Sequence, residues 1–110
     1  MNNLHKYKIV YTDNEFTIAD LGYGYLVYIA QNILIKGNSK LKRDLNVVLD
    51  TNGFYQSMPC TRMISGGYGE NLLVFHIVHN TIVILNENIN PNFVNTDLYT
   101  IPCTFFVPKA

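Results

Sequence analysis

Apolar residues in this chain recur mostly every second position, the period of strands. Lys6 to Thr12 sets Tyr7, Ile9 and Tyr11 on one side and Lys6, Lys8, Val10 and Thr12 on the other, as a half-buried strand does, and Thr12-Asp-Asn-Glu15 supplies turn residues. Leu98 to Val107 alternates most cleanly, with Tyr99, Ile101, Cys103, Phe105 and Val107 opposed to Thr100, Pro102 and Thr104. Pro102 lacks an N–H, so this strand belongs at an edge or a bulge.

Two hairpins are predicted between these ends. In 46–58, Asn52-Gly53 suits positive φ at both central positions of a type I′ turn, which pairs Thr51 with Phe54 and Val47 with Met58. In 72–86, a turn at His79-Asn80 pairs Val78 with Thr81, His76 with Val83 and Val74 with Leu85. One face of that hairpin then carries Leu73, Phe75, Ile77, Ile82 and Ile84, while the other is also largely apolar. A hairpin apolar on both faces is expected at the centre of a sheet or covered on both sides.

Tyr25 to Lys36 supports two readings. Leu26, Ile29, Ala30, Ile33 and Leu34 fit the i, i+3, i+4 spacing of a helix closed by Gly37, whereas the Tyr and Ile enrichment after Gly22 and Gly24 favours strands. Strands are preferred, so the expected fold is mainly β: a single antiparallel sandwich or small barrel built from the hairpins around 46–58 and 72–86. The alternative is α+β with a helix near 25–36. Residues 1–110 are read as a single domain, since the chain is too short for two.

Composition changes the picture at the surface. Only 15% of the residues are charged against 48% hydrophobic, and the formal net charge is zero. A neutral protein lacks both the general attraction to phosphate backbones and the self-repulsion that keeps small proteins apart, so nucleic acid is a disfavoured partner and self-association a favoured one. Eight tyrosines can cover a surface in place of charges, and tyrosine is enriched at interfaces. The opening residues lack the basic and apolar regions of a secretory signal, and the longest apolar run is far below a membrane span, which points to a cytoplasmic protein without a membrane partner. Cys60 and Cys103 have no Cys-x-x-Cys partner and read as reduced, packed thiols. The bias toward Asn, Ile, Lys, Tyr and Phe is that of an AT-rich genome, and it associates the chain with virus- or mobile-element-encoded accessory proteins.

Candidate chemistry is sparse. His76 and His79, three apart on a strand, leave opposite faces and cannot chelate one metal. No metal or other cofactor is expected, and His76 reads as a packed or interface histidine or a partner contact. Ser65-Gly-Gly-Tyr-Gly-Glu70 reads as an entry loop to the second hairpin, with a binding version in which Gly66 and Gly67 let the backbone approach a ligand, Tyr68 stacks on it and Arg62 supplies charge. Lys36 to Arg43 concentrates basic residues; it reads as a solvated loop, with a binding version in which Lys40, Lys42 and Arg43 meet a phosphate or an acidic partner. Neither paired carboxylates nor a nucleophile beside a base has a recognisable spacing, so the reading leans away from an enzyme, and His76 is the residue an enzyme reading would rest on.

These observations favour a noncatalytic protein-interaction module, a homo-oligomer acting on a protein partner, for which a host-cell protein is the candidate. The alternatives are a protein that binds or sequesters a nucleotide-sized signal, and a structural component of a particle.

Overall fold

The computed structural model describes residues 7–61, 71–88 and 96–110, and these form an all-antiparallel β structure. In chain order the strands are β1 (Lys8–Thr12), β2 (Phe16–Asp20), β3 (Gly24–Ile29), β4 (Leu34–Ile35), β5 (Lys40–Asp44), β6 (Phe54–Met58), β7 (Cys60–Thr61), β8 (Asn71–Val78), β9 (Thr81–Asn88), β10 (Leu98–Thr100) and β11 (Cys103–Pro108). They assemble into a front sheet, β1-β2-β3-β11, a back sheet, β5-β9-β8-β6, and a short bridging sheet, β4-β10-β7. The mainly β sandwich expected from the periodicity is the architecture found.

The two large sheets bury one face each against the other. In the front sheet the inward rows are Phe16-Ile29-Cys103, Ile18-Val27-Phe105 and Tyr25-Val107; in the back sheet Phe54, Met58, Leu73, Phe75, Ile77, Ile82 and Ile84 face inward. Contact across the layers is made by Phe105 stacked on Phe75, ring centroids 4.8 Å apart, with Phe54 tilted against both. Offset aromatic pairs of this kind contribute about 1 kcal/mol each beyond their buried area.

The β8–β9 hairpin forms in the predicted register, Val78 opposite Thr81 and His76 opposite Val83, and it occupies the centre of the back sheet. Its turn has positive φ at His79 (49°) and not at Asn80, so it is not a type I′ turn. The inner face is fully buried. On the outer face Val74 is buried while His76, Val83 and Leu85 are half-buried, so only the inner side is covered throughout.

The 46–58 hairpin does not form. Residues 45–51 run as an arm rather than a strand, and Phe54 to Met58 pair with β8 instead, Phe54 opposite Ile77 and Met58 opposite Leu73. The arm does alternate, Leu45, Val47 and Leu49 inward and Asn46, Val48 and Asp50 outward, but its N–H groups bond elsewhere: Leu45 to the Asn80 carbonyl, Leu49 to that of His79, and Asp50 to the Tyr25 hydroxyl. It lies across the β8–β9 turn. Gly53 has φ +107°, so the Asn-Gly pair bends the chain into β6 rather than closing a hairpin.

Residues 25–36 are not helical. Tyr25, Val27 and Ile29 are buried while Leu26 and Tyr28 are exposed, a period of two that the i, i+4 matches conceal. The chain then turns through Asn32, φ 62°, into β4. Leu98 to Val107 also divides. Ile101-Pro102 separates β10 from β11, and the two halves enter different sheets. Pro102 thus marks the crossing, and β11 lies at an edge as proline requires.

Two buried polar side chains hold the bridging sheet in place. Asn86, 2% exposed, donates from Nδ2 to the carbonyls of Ile35 (2.9 Å) and Thr96 (2.8 Å). Thr100 Oγ1 donates to the Ala30 carbonyl and accepts from the Ile33 N–H. Because β4 has only two residues, these side-chain bonds fix it where a longer ladder otherwise would.

Candidate interaction surfaces

The basic segment is an edge strand. From Lys40 onward it forms β5 against β9, in the register Lys40–Leu85, Lys42–Val83, Arg43–Ile82. Alternation divides its charges: Lys40 and Lys42 point outward, and Arg43 turns toward the front sheet. There the guanidinium bonds Asp13 and Glu15 in the β1–β2 turn and lies over the Phe16 ring, 5.3 Å from its centroid. Arg43 is therefore committed to an inter-sheet clamp and is poorly placed to meet a ligand.

Asp13 is the centre of that clamp. Burial raises the pKa of its carboxyl, but bonds from the Tyr11 hydroxyl, the N–H groups of Glu15 and Phe16, and Arg43 outweigh this and lower it to about 2. The Tyr11 hydroxyl, donating to that carboxylate, is held above its usual value. No spacing in the sequence links Arg43 to Asp13 and Glu15. The link exists only because β5 and the β1–β2 turn meet at one corner of the sandwich.

Three of the residues singled out by sequence converge on the outer face of the back sheet. Cross-strand pairing sets Tyr55, His76, Val83 and Lys42 in one row and Ser57, Val74, Leu85 and Lys40 in the next. Tyr55, 62% exposed, meets the His76 ring edge-on with centroids 5.6 Å apart. From His76 to Lys42 is two strand spacings, roughly 10 Å. Lys42 Nζ lies 3.9 Å from Asp44 Oδ1, a solvent-exposed pair worth well under 1 kcal/mol. A hollow of about 560 Å³ opens beside Lys40, between Asn38, Leu85 and Glu87. His76 has Tyr55 and Val83 as cross-strand neighbours, neither of them a carboxylate that would orient its ring for proton transfer. Chemically the face offers two ammonium groups and an aromatic pair on an apolar bed. Tyr55 was not singled out by sequence, because its place beside His76 depends on β6 pairing with β8.

Arg62, Gly66, Gly67 and Tyr68, the candidate binding loop, lie outside the described residues. Among the described residues no group of three or more His, Cys, Asp and Glu is placed to hold a metal ion, and no helix is long and apolar enough to cross a membrane. Cys60 and Cys103 are both half-buried, and burial raises the pKa of Cys103.

The front sheet presents a second open face with different chemistry. Its outward rows are Ile9-Ala19-Leu26-Phe106 and Thr12-Thr17-Tyr28-Thr104, with Tyr23 against Phe106 at 5.6 Å between centroids. Neither row contains a lysine, arginine, aspartate or glutamate. A trough of about 360 Å³ runs along this face, floored by Thr17 and Ala19 and walled by Tyr7, Leu21, Leu26 and Tyr28. Comparison of the chain with protein-family models, with curated proteins and with solved structures finds no match.

Proposed function

We propose that this protein is a noncatalytic interaction module that works as a homo-oligomer and engages a protein partner. The observation that carries the reading is the outer face of the front sheet. Among the described residues it spans four strands without a charged side chain, yet Ile9, Tyr28 and Phe106 on it are each at least 40% exposed. Monomeric proteins rarely leave a contiguous apolar patch of more than a few hundred Å² open to water. The zero net charge adds no long-range repulsion between copies. Self-association would occupy the front face and leave the Tyr55, His76, Lys40 and Lys42 face for the partner. An accessory role in the cytoplasm of a host cell, suggested by the AT-rich residue bias, suits a small module of this kind.

Sedimentation velocity over a dilution series tests the reading. The expected result is a discrete oligomer that dissociates on dilution; a monomer at every soluble concentration overturns it.

A further inference from the structure

We infer that the front faces of two copies close on one another about a twofold axis lying along β3, with β11 of each copy over β2 of the other. The inference rests on the self-association proposed above and specifies its geometry.

The face carries both halves of a self-complementary surface. On the β11 side, Phe106 and Tyr23 form a raised aromatic pair, Tyr23 being 73% exposed. The trough floored by Thr17 and Ala19 runs from β2 across Leu26 and Tyr28 of β3 to Thr104 of β11, near the small end of the range for binding cavities and suited to a side chain rather than a large ligand. An isologous interface needs such a pairing, because the axis presents each feature to its counterpart twice.

Strand order fixes where the axis lies. Counting across the sheet, β11 and β2 flank β3 on opposite sides, one strand away each. A rotation of 180° about a line along β3, in the plane between the copies, exchanges left and right but preserves position along the strand. Phe106, Leu26 and Ala19 share one row, so the Phe106 backbone of one copy comes to lie over Ala19 of the other while its ring reaches toward the axis over Gly24, and Leu26 meets Leu26. Thr104 and Thr17 share the next row, and they too face each other across the interface. Sheets packed face to face sit about 10 Å apart.

The area is adequate. With aromatic side chains presenting about 150–250 Å² each, the exposed parts of Tyr7, Ile9, Tyr23, Leu26, Tyr28 and Phe106 come to roughly 500–600 Å² per copy, or about 1,000–1,200 Å² for the pair. That reaches the lower bound for a specific interface. With no charges in the contact rows, no ion has to be desolvated.

The test is a charge-pair exchange at Thr17 and Thr104, read by sedimentation velocity with circular dichroism and thermal melting as controls of folding. Wild type is expected to be a dimer. Thr17→Lys alone and Thr104→Glu alone are each expected to weaken dimerisation by about a hundredfold or more, since like-variant pairs bury two uncompensated charges. An equal mixture is expected to recover a dimer with one chain of each, because one contact becomes an ion pair and the other remains Thr-Thr. Single variants that still dimerise as wild type, or a mixture that stays monomeric, overturn this face or this axis while leaving self-association standing. A monomeric wild type overturns self-association itself.

Discussion

Asp13 receives hydrogen bonds from one hydroxyl, two backbone N–H groups and a guanidinium, which is why its carboxyl sits near 2 instead of the ordinary 3.8. A carboxyl depressed in the folded state gives stability that is fully present above its unfolded value and is lost as pH falls through the folded one. The clamp should therefore weaken as pH falls from about 5 to about 2, as Asp13 becomes protonated and Arg43 loses one of its two carboxylate partners. Asp13→Asn is expected to lower stability at pH 7 and to flatten its decline over that window, measured by urea unfolding at a series of pH values. An unchanged acid limb would mean that other carboxyls govern acid unfolding. The same scale explains Gly24. A Cβ there would lie 2.9 Å from the Val107 carbonyl oxygen and inside the Phe106 ring, so the glycine is what lets that ring lie across β3.

Among the elements, the β8–β9 hairpin was legible residue for residue. Its alternation is unbroken over both strands, and its register follows from the position of the turn. His79 holds φ at 49°, a conformation that costs a side chain with a Cβ about 1 kcal/mol or more. His79→Gly is expected to raise the unfolding free energy by about that amount, and a loss instead would show that the imidazole makes a compensating contact. The arm at 45–51 shows the opposite case. Its alternation predicts which side chains are buried, but periodicity carries no information about the partner, and Asn52-Gly53 suggested a local one. The strand found its hydrogen bonds at His79, Asn80 and Tyr25 instead. Arg43 was singled out for its charge, yet its role is set by a contact between elements far apart in the chain. The bridging sheet was not legible, because strands of two or three residues are too short to show a period. Their position depends on Asn86. Asn86→Ala would remove the side-chain bonds to the Ile35 and Thr96 carbonyls, and a loss of about 2–4 kcal/mol is expected from denaturant midpoints.

At the scale of the whole molecule, the sandwich has two outer faces that differ in chemistry, one uncharged and one bearing Lys40, Lys42, His76 and Tyr55. The separation implies that the surfaces can be altered independently. Lys40→Glu with Lys42→Glu is expected to leave the sedimentation of the oligomer unchanged. If the double variant dissociates, the copies meet through the back sheet, and the assignment of the two faces must be exchanged.

The division of 98–107 at Pro102 bears on the order in which this chain acquires its structure. β10 and β11 complete two different sheets, and β3 pairs with a strand synthesised much later, Ile29 with Cys103 and Gly24 with Pro108. During translation at about 5–20 residues per second, the β3 edge waits roughly 4–15 s for β11 to emerge. The N–H and C=O groups along that edge of β3 stay unpaired throughout the interval. Such an edge is a template for other chains, so the yield of soluble protein should depend on elongation rate and on chaperones that shield the first three strands, more than on the stability of the finished fold.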